Sequence, residues 1–358
     1  MSEIVSLGSF DAVATDPHSY RRYAPNLFNY RSAHDDLRTF ILRVLCEDSV
    51  DCPEEGVWLI RNCLIVDGKH VLLESGKFVE TSIVDRPLED IKLLLRQSTS
   101  STRAVNLRDQ AQNDDPIVVF MKSGAANYGH VLIEMLPRLL NAKRIGLSRF
   151  NIILPQEALW AKSLIDFACS ALDIQLKYIE VDTSSAHADE VVLLSPVSKH
   201  NRRKSQTVVD MTALLLEGVD APKKARKLAV WRKPDEKRSI VGDAYLLSAL
   251  RDASYDVVYP GEMSFVEQMQ AFREATHIVA PLGAGLTNLV FAGPHCDVFM
   301  IDPGTYDFFF WDLSCLREQH FSWYFNKEID FFKVDSLTRQ VDLDANAVIS
   351  ALKLSHFI

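Results

Sequence analysis

From about residue 115 the chain alternates short apolar runs with longer amphipathic ones, and this alternation limits its fold more than any other feature. PIVVFM, FNIILP, LKYIEV and DEVVLLS have the length and branching of buried strands, while GHVLIEMLPRLLNAKRI and EALWAKSLIDFACSAL have helical spacing. Alternation of this kind predicts a mostly parallel sheet covered by helices. A polar helix is expected at RRKSQTVVDMTALLLEGV (202–219), followed by APKKARK, where Pro222 and four basic residues break the apolar rhythm and mark a hinge. Beyond it the alternation restarts with LAVWR, DAYLLSALRDA, YDVVYP, FVEQMQAFREA, HIVAP, GAGLTNLVFA and DVFMID. The fold class is therefore α/β, with two Rossmann-like halves facing a cleft.

The first hundred residues read differently. VWLIRNCLIV (57–66) and HVLLESGKFVE (70–80) flank Asp67-Gly68, a hairpin signal. The expected organisation is a β-rich segment over 1–110 packed on the first domain, an acceptor-side domain over 111–222 and a nucleotide-binding domain over 223–358. At 358 residues the chain is long for one core, which agrees with two domains.

The net charge of -9 argues against a protein devoted to neutralising a nucleic-acid backbone. No apolar run approaches the ~20 residues needed to cross a bilayer, and the first twenty residues lack the basic and apolar regions of a signal peptide. A cytoplasmic protein is expected. The six cysteines, Cys46, Cys52, Cys63, Cys169, Cys296 and Cys315, form no CxxC pair and no zinc spacing, so free thiols are expected.

Three segments carry candidate chemistry. In HIVAPLGAGLTNLVF a strand runs through Gly283, Ala284 and Gly285 towards a helix containing Leu286, Thr287 and Asn288. Such a turn allows close backbone approach, and the helix start offers N–H groups to a phosphate. As a bare pattern it also fits a tight structural turn. In WRKPDEKRSIVGD, Arg232, Lys233, Lys237 and Arg238 lie between a strand and a helix, where arginine can pair two donors with phosphate oxygens. The alternative is a solvated charged loop.

In NYGHVLIEMLPR (127–138), His130 and Glu134 stand one helical turn apart, so the carboxylate can orient the imidazole as a base. Pro137 removes an N–H and should kink or stop the helix, turning Arg138 in a new direction beside Asn127 on the acceptor side. No DxD follows an apolar strand; Asp342-Leu343-Asp344 lies in a polar stretch, so no metal is expected at a diphosphate. There is no GxSxG elbow and no Walker loop.

Together, NYGHVLIEMLPR, WRKPDEKR and HIVAPLGAGLTNLVFAGP resemble glycosyltransferase family 61, over roughly residues 57–302. The resemblance implies a GT-B enzyme, inverting and metal-independent, moving a sugar from a nucleotide-diphosphate donor, expected to be a UDP-sugar, to a surface-glycan acceptor such as capsular polysaccharide or lipopolysaccharide. It implies a base at His130 or Glu134 and donor contacts from Arg232, Arg238 and Gly283 to Asn288. The chain departs from the family at Leu282, where His is usual, at Gly242, where Asn is usual, at His295, where Gly is common, and near Met300, where an acidic residue is common. Those departures keep an inactive GT-B-like scaffold open, and the fold alone also allows a sugar-nucleotide epimerase or hydrolase. The basic residues Lys199, His200, Arg202, Arg203, Lys204, Lys223, Lys224, Arg226 and Lys227 would either attract an anionic membrane surface or form a solvated face beside the hinge.

Overall fold

A computed structural model describes residues 4–32, 35–83, 88–100, 105–111, 113–179, 185–200, 203–236, 239–326 and 340–358. The chain is α/β and forms two compact units. One comprises Met1–His18, Cys52–His200 and Ser205–Leu215; the other comprises Ser19–Asp51, Asn201–Lys204 and Leu216–Ile358. Among the described residues no helix is long and apolar enough to cross a membrane.

In the first unit, Ile117–Val119, Arg149–Ile153 and Gln175–Ile179 pair in parallel in chain order, and Ser185–Leu194 pairs in parallel on the other side of Ile117–Val119. The order of strands reverses between Ile117–Val119 and Ser185–Leu194. The β-rich segment is continuous with this sheet. Glu55–Val66 runs antiparallel to Ser185–Leu194, in register from Val57 opposite Leu194 to Val66 opposite Ser185. The expected hairpin is present: Val66 faces His70, and Asp67 and Gly68 both have positive φ, 50° and 67°. Three residues, Asp67 to Lys69, join the strands; Lys69 N donates to Val66 O, and Asp-Gly tolerates the two left-handed positions at the centre of that turn.

In the second unit the strands Tyr255–Val258, Arg226–Val230, Ala275–Pro281, Asp297–Asp302, His320–Phe325 and Asn26–Phe28 lie side by side in that order, all parallel. Leaving out the edge strand Asn26–Phe28, the order is 2-1-3-4-5, with its reversal between Arg226–Val230 and Ala275–Pro281. The strands are apolar on both faces, as a covered parallel sheet requires. Ala229, Val279, Phe299 and Ile301 bury one face against Leu246 and Leu250 of the helix Ala244–Asp252 and Val348 and Leu352 of the helix Ala345–Leu354. The helix Phe265–Arg273 starts at a capping box, in which Ser264 Oγ accepts from Glu267 N and Glu267 Oε2 accepts from Ser264 N.

Two boundaries differ from the expected ones. Residues 19–51 count with the second unit, because Asn26–Phe28 pairs with His320–Phe325. The chain passes from the first unit to the second within the helix Gln206–Glu217, a few residues before the basic APKKARK stretch.

Candidate active site

In open α/β sheets ligands gather beyond the carboxyl ends of the strands where the order reverses, and each unit places candidate residues there. In the first unit, Lys122 follows Ile117–Val119 and His200 follows Ser185–Leu194. Between them stands the segment that carries His130 and Glu134. It starts as a helical turn, Tyr128–His130, capped by Asn127, whose Oδ1 accepts from Gly129 N at 2.8 Å. Val131–Met135 then form a π-helical turn, closed by a bond from Leu136 N to Val131 O.

Pro137 explains the widening: in an α-helix its ring would clash with the carbonyl of Ile133, and one extra residue in the turn relieves that clash. The helix resumes at Arg138–Arg144 instead of stopping. Arg138 departs from expectation here. It is buried, and its Nε donates to Glu134 O at 2.8 Å, the carbonyl that Arg138 N would reach in a regular helix. It therefore braces the turn from inside and is not an acceptor-facing cation. Asn127 is exposed, with its carbonyl oxygen committed to the cap.

Glu134 is the centre of the site, with a side chain 1 % exposed. Lys122 Nζ donates to its Oε2 at 2.5 Å, His130 Nδ1 bonds the same oxygen at 2.9 Å, and His200 Nδ1 bonds Oε1 at 3.1 Å. Burial alone would push the Glu134 carboxyl up, but the hydrogen bonds from His130 and His200 and the Lys122 charge hold it well below its ordinary value. An ionised carboxylate only accepts, so both Nδ1 atoms must carry hydrogen. In each neutral imidazole that leaves Nε2 as the acceptor. The two rings lie 4.9 Å apart at 37°, each about a quarter exposed, while Lys122 is 2 % exposed.

Gly124, with φ of +89°, turns the chain beneath His130; a Cβ there would lie 3.0 Å from His130 Cδ2. His130, Glu134 and His200 each offer one potential metal ligand, all within 4.8 Å of one another. A cation bound among them would meet the Lys122 ammonium on the same carboxylate, which opposes it.

In the second unit, Arg232 follows Arg226–Val230 and Gly283 follows Ala275–Pro281, the two strands flanking the reversal. Arg232 Nη2 donates to Leu282 O at 3.0 Å, and a Cβ on Gly283 would stand 1.5 Å from that nitrogen. A side chain at 283 would displace the guanidinium, which occupies that place. The backbone itself is extended there, with φ of 163°. Gly285 packs on Pro260, where a Cβ would approach to 3.1 Å.

Residues Ala284–Phe291 form a 3-10 helix, and Leu286, Thr287 and Asn288 are buried in it. Asn288 Nδ2 donates to Gln268 Oε1 and Gly285 O. The side-chain donors expected from Thr287 and Asn288 are thus buried in the fold, while Ala284 and Gly285 at the start of the turn stay partly exposed. Lys233 is paired with Glu262. Lys237 and Arg238 lie outside the described residues.

Sequence reasoning missed Lys122 and the role of His200. Lys122 was findable, as the first charged residue beyond a buried strand at a sheet's carboxyl edge. His200 had no local signal, since 66 positions separate it from Glu134. The basic face expected around it is also reduced: Lys204 is fully buried against Asp312 in the second unit.

Comparison with known families supports glycosyltransferase activity for the protein. The family model described as Glycosyltransferase 61 matches residues 128–299, a stretch that includes His130, Glu134, His200, Arg232 and Gly283. The match spans just under half of the chain, and over that stretch the chain is similar to glycosyltransferase family 61. No curated protein matches it.

The family departures have backbone counterparts. Leu282 is buried and meets Arg232 through its carbonyl, which any residue supplies. Gly242 has φ of 69° and His295 φ of 62°, left-handed positions where glycine and asparagine are the usual occupants. Asp302, two residues after Met300, is buried and accepts from Gly304 N, Thr305 N, Tyr306 N and Trp323 Nε1.

Proposed function

We propose that the chain transfers a sugar, with inversion and without a metal ion, from a nucleotide-diphosphate donor, a UDP-sugar in the simplest case, to a hydroxyl of a surface glycan. The reading extends the family's GT-B plan to this chain, with the acceptor on the first unit and the donor on the second. The observation that carries it is the buried Glu134 carboxylate holding two imidazoles by their Nδ1–H groups. His130 Nε2 takes the proton from the acceptor hydroxyl as that oxygen forms its bond to the anomeric carbon and the bond to the diphosphate oxygen breaks. Glu134 stabilises the imidazolium formed, and Lys122 limits how much negative charge it presents before reaction. Arg232 and the N–H groups at the start of Ala284–Phe291 take up the charge developing on the diphosphate.

General-base assistance contributes about 10² to 10⁴-fold. His130→Ala should lower turnover by at least about a hundred-fold while donor affinity, measured by calorimetry with a panel of nucleotide sugars, stays near the wild-type value. A sharp loss of turnover in His200→Ala, with only a mild one in His130→Ala, would move the base to His200. Activity is expected to survive saturating EDTA; loss that Mg or Mn restores would overturn the metal-free reading.

A further inference from the structure

The turn that supports His130 also holds a pair of aromatic rings whose role the chemistry above leaves unassigned. Trp160 lies in the short helical turn Gln156–Ala161 and is 44 % exposed, beside Leu159 at 57 %. It is not loose: its Nε1 donates to Ala125 O at 3.2 Å, so the indole's one polar group is already used. Ala125 directly follows Gly124, the residue that packs beneath His130. Tyr128, two positions before His130 and half-buried, sets its ring 6.3 Å from that of Trp160 at 43°. One short stretch, 124–130, therefore ties both rings to the base.

We infer that Trp160, with Tyr128, forms a stacking subsite for a pyranose ring of the acceptor glycan, next to the hydroxyl that His130 deprotonates. This rests on the acceptor lying at His130. A pyranose has a face of C–H bonds and a rim of hydroxyls. Its C–H face carries slight positive charge that suits the negative face of an indole, while the rim remains free for polar contacts. A ring already pinned by its N–H loses little conformational freedom on binding, which makes an exposed, anchored tryptophan a better platform than a mobile side chain. Exposing that much apolar surface has a cost in the free protein, and a bound sugar would cover it.

The test uses saturation-transfer NMR with a panel of methyl pyranosides, so that binding is read without turnover. The wild type should transfer magnetisation to the C–H protons of one pyranose face. Trp160→Phe, which keeps a ring, and His130→Ala should retain the signal, and Trp160→Ala should lose it. In the enzymatic assay, Trp160→Ala should raise the acceptor KM about ten-fold or more with donor affinity unchanged. Absence of saccharide signal in the wild type, or an equal signal in a folded Trp160→Ala, overturns the subsite. If His130→Ala keeps full turnover while Trp160→Ala still loses saccharide binding, the assignment of the base fails and the subsite stands.

Discussion

A single missing methyl group at position 283 makes room for the Arg232 guanidinium, and this couples two residues that sequence analysis treated as separate phosphate contacts. A charged hydrogen bond is worth about 1.5 to 3 kcal/mol, so Arg232→Ala should weaken nucleotide-diphosphate binding roughly ten- to a hundred-fold. Gly283→Ala should do comparable damage by expelling the same guanidinium, and the double variant should be no worse than either single one. Additive losses in calorimetry would show that glycine 283 serves the ligand independently.

Glu134 makes the second residue-scale prediction. Breaking a buried ion pair costs about 3 to 5 kcal/mol, and Lys122 and Glu134 are both buried, so Lys122→Met should lower the denaturation midpoint markedly. Because the folded Glu134 carboxyl sits below its ordinary value of 4.5, its stabilisation is present above that pH and fades as pH falls through the folded value. Stability curves for the wild type and Glu134→Gln should therefore lie apart near neutrality and converge below about pH 4.5. Parallel curves down to strong acid would contradict the depressed carboxyl.

Among the elements, the π-helical turn at Val131–Met135 shows where sequence reading stops. Apolar spacing gave the helix, and Pro137 gave a disturbance within it, but not its kind. Whether a proline ends a helix or widens one turn depends on what can take up the orphaned carbonyls, here the side chain of Arg138 reaching Glu134 O from the protein interior. The hairpin at Asp67-Gly68 was legible because its cause is local, two residues that tolerate positive φ. His200 was not, because its partner is brought to it by strand pairing between Ile117–Val119 and Ser185–Leu194.

Pro137→Ala removes the clash that favours the wide turn. It should leave stability unchanged or raised, while turnover falls as Glu134 shifts away from the two imidazoles. Retained activity, with Glu134 still on both rings in a crystal structure of the variant, would show that the surrounding packing holds the turn without proline's help.

At the scale of the whole molecule, both units bring candidate residues to the point where their strand order reverses. All six cysteines are free, and only Cys46 is exposed. Burial pushes the thiols of Cys63, Cys169, Cys296 and Cys315 up to about 12, away from the reactive thiolate. A thiol reagent should find one fast group in the native protein, lost in Cys46→Ser, and six after unfolding. Two or more fast groups would mean that a core thought closed opens readily.

The strand Asn26–Phe28 has a further consequence for how the protein is made. It pairs with His320–Phe325, and Asn26 meets Ser322 across 296 positions of chain. At about 5 to 20 residues per second, a ribosome delivers the first of these strands roughly 15 to 60 s before the second. Every segment of the first unit has been synthesised once Leu215 is reached, whereas the second unit must wait for its last third with an early strand already in hand. During that interval the newborn chain carries an unmatched strand, which is the stage of its life when a chaperone has most to offer it.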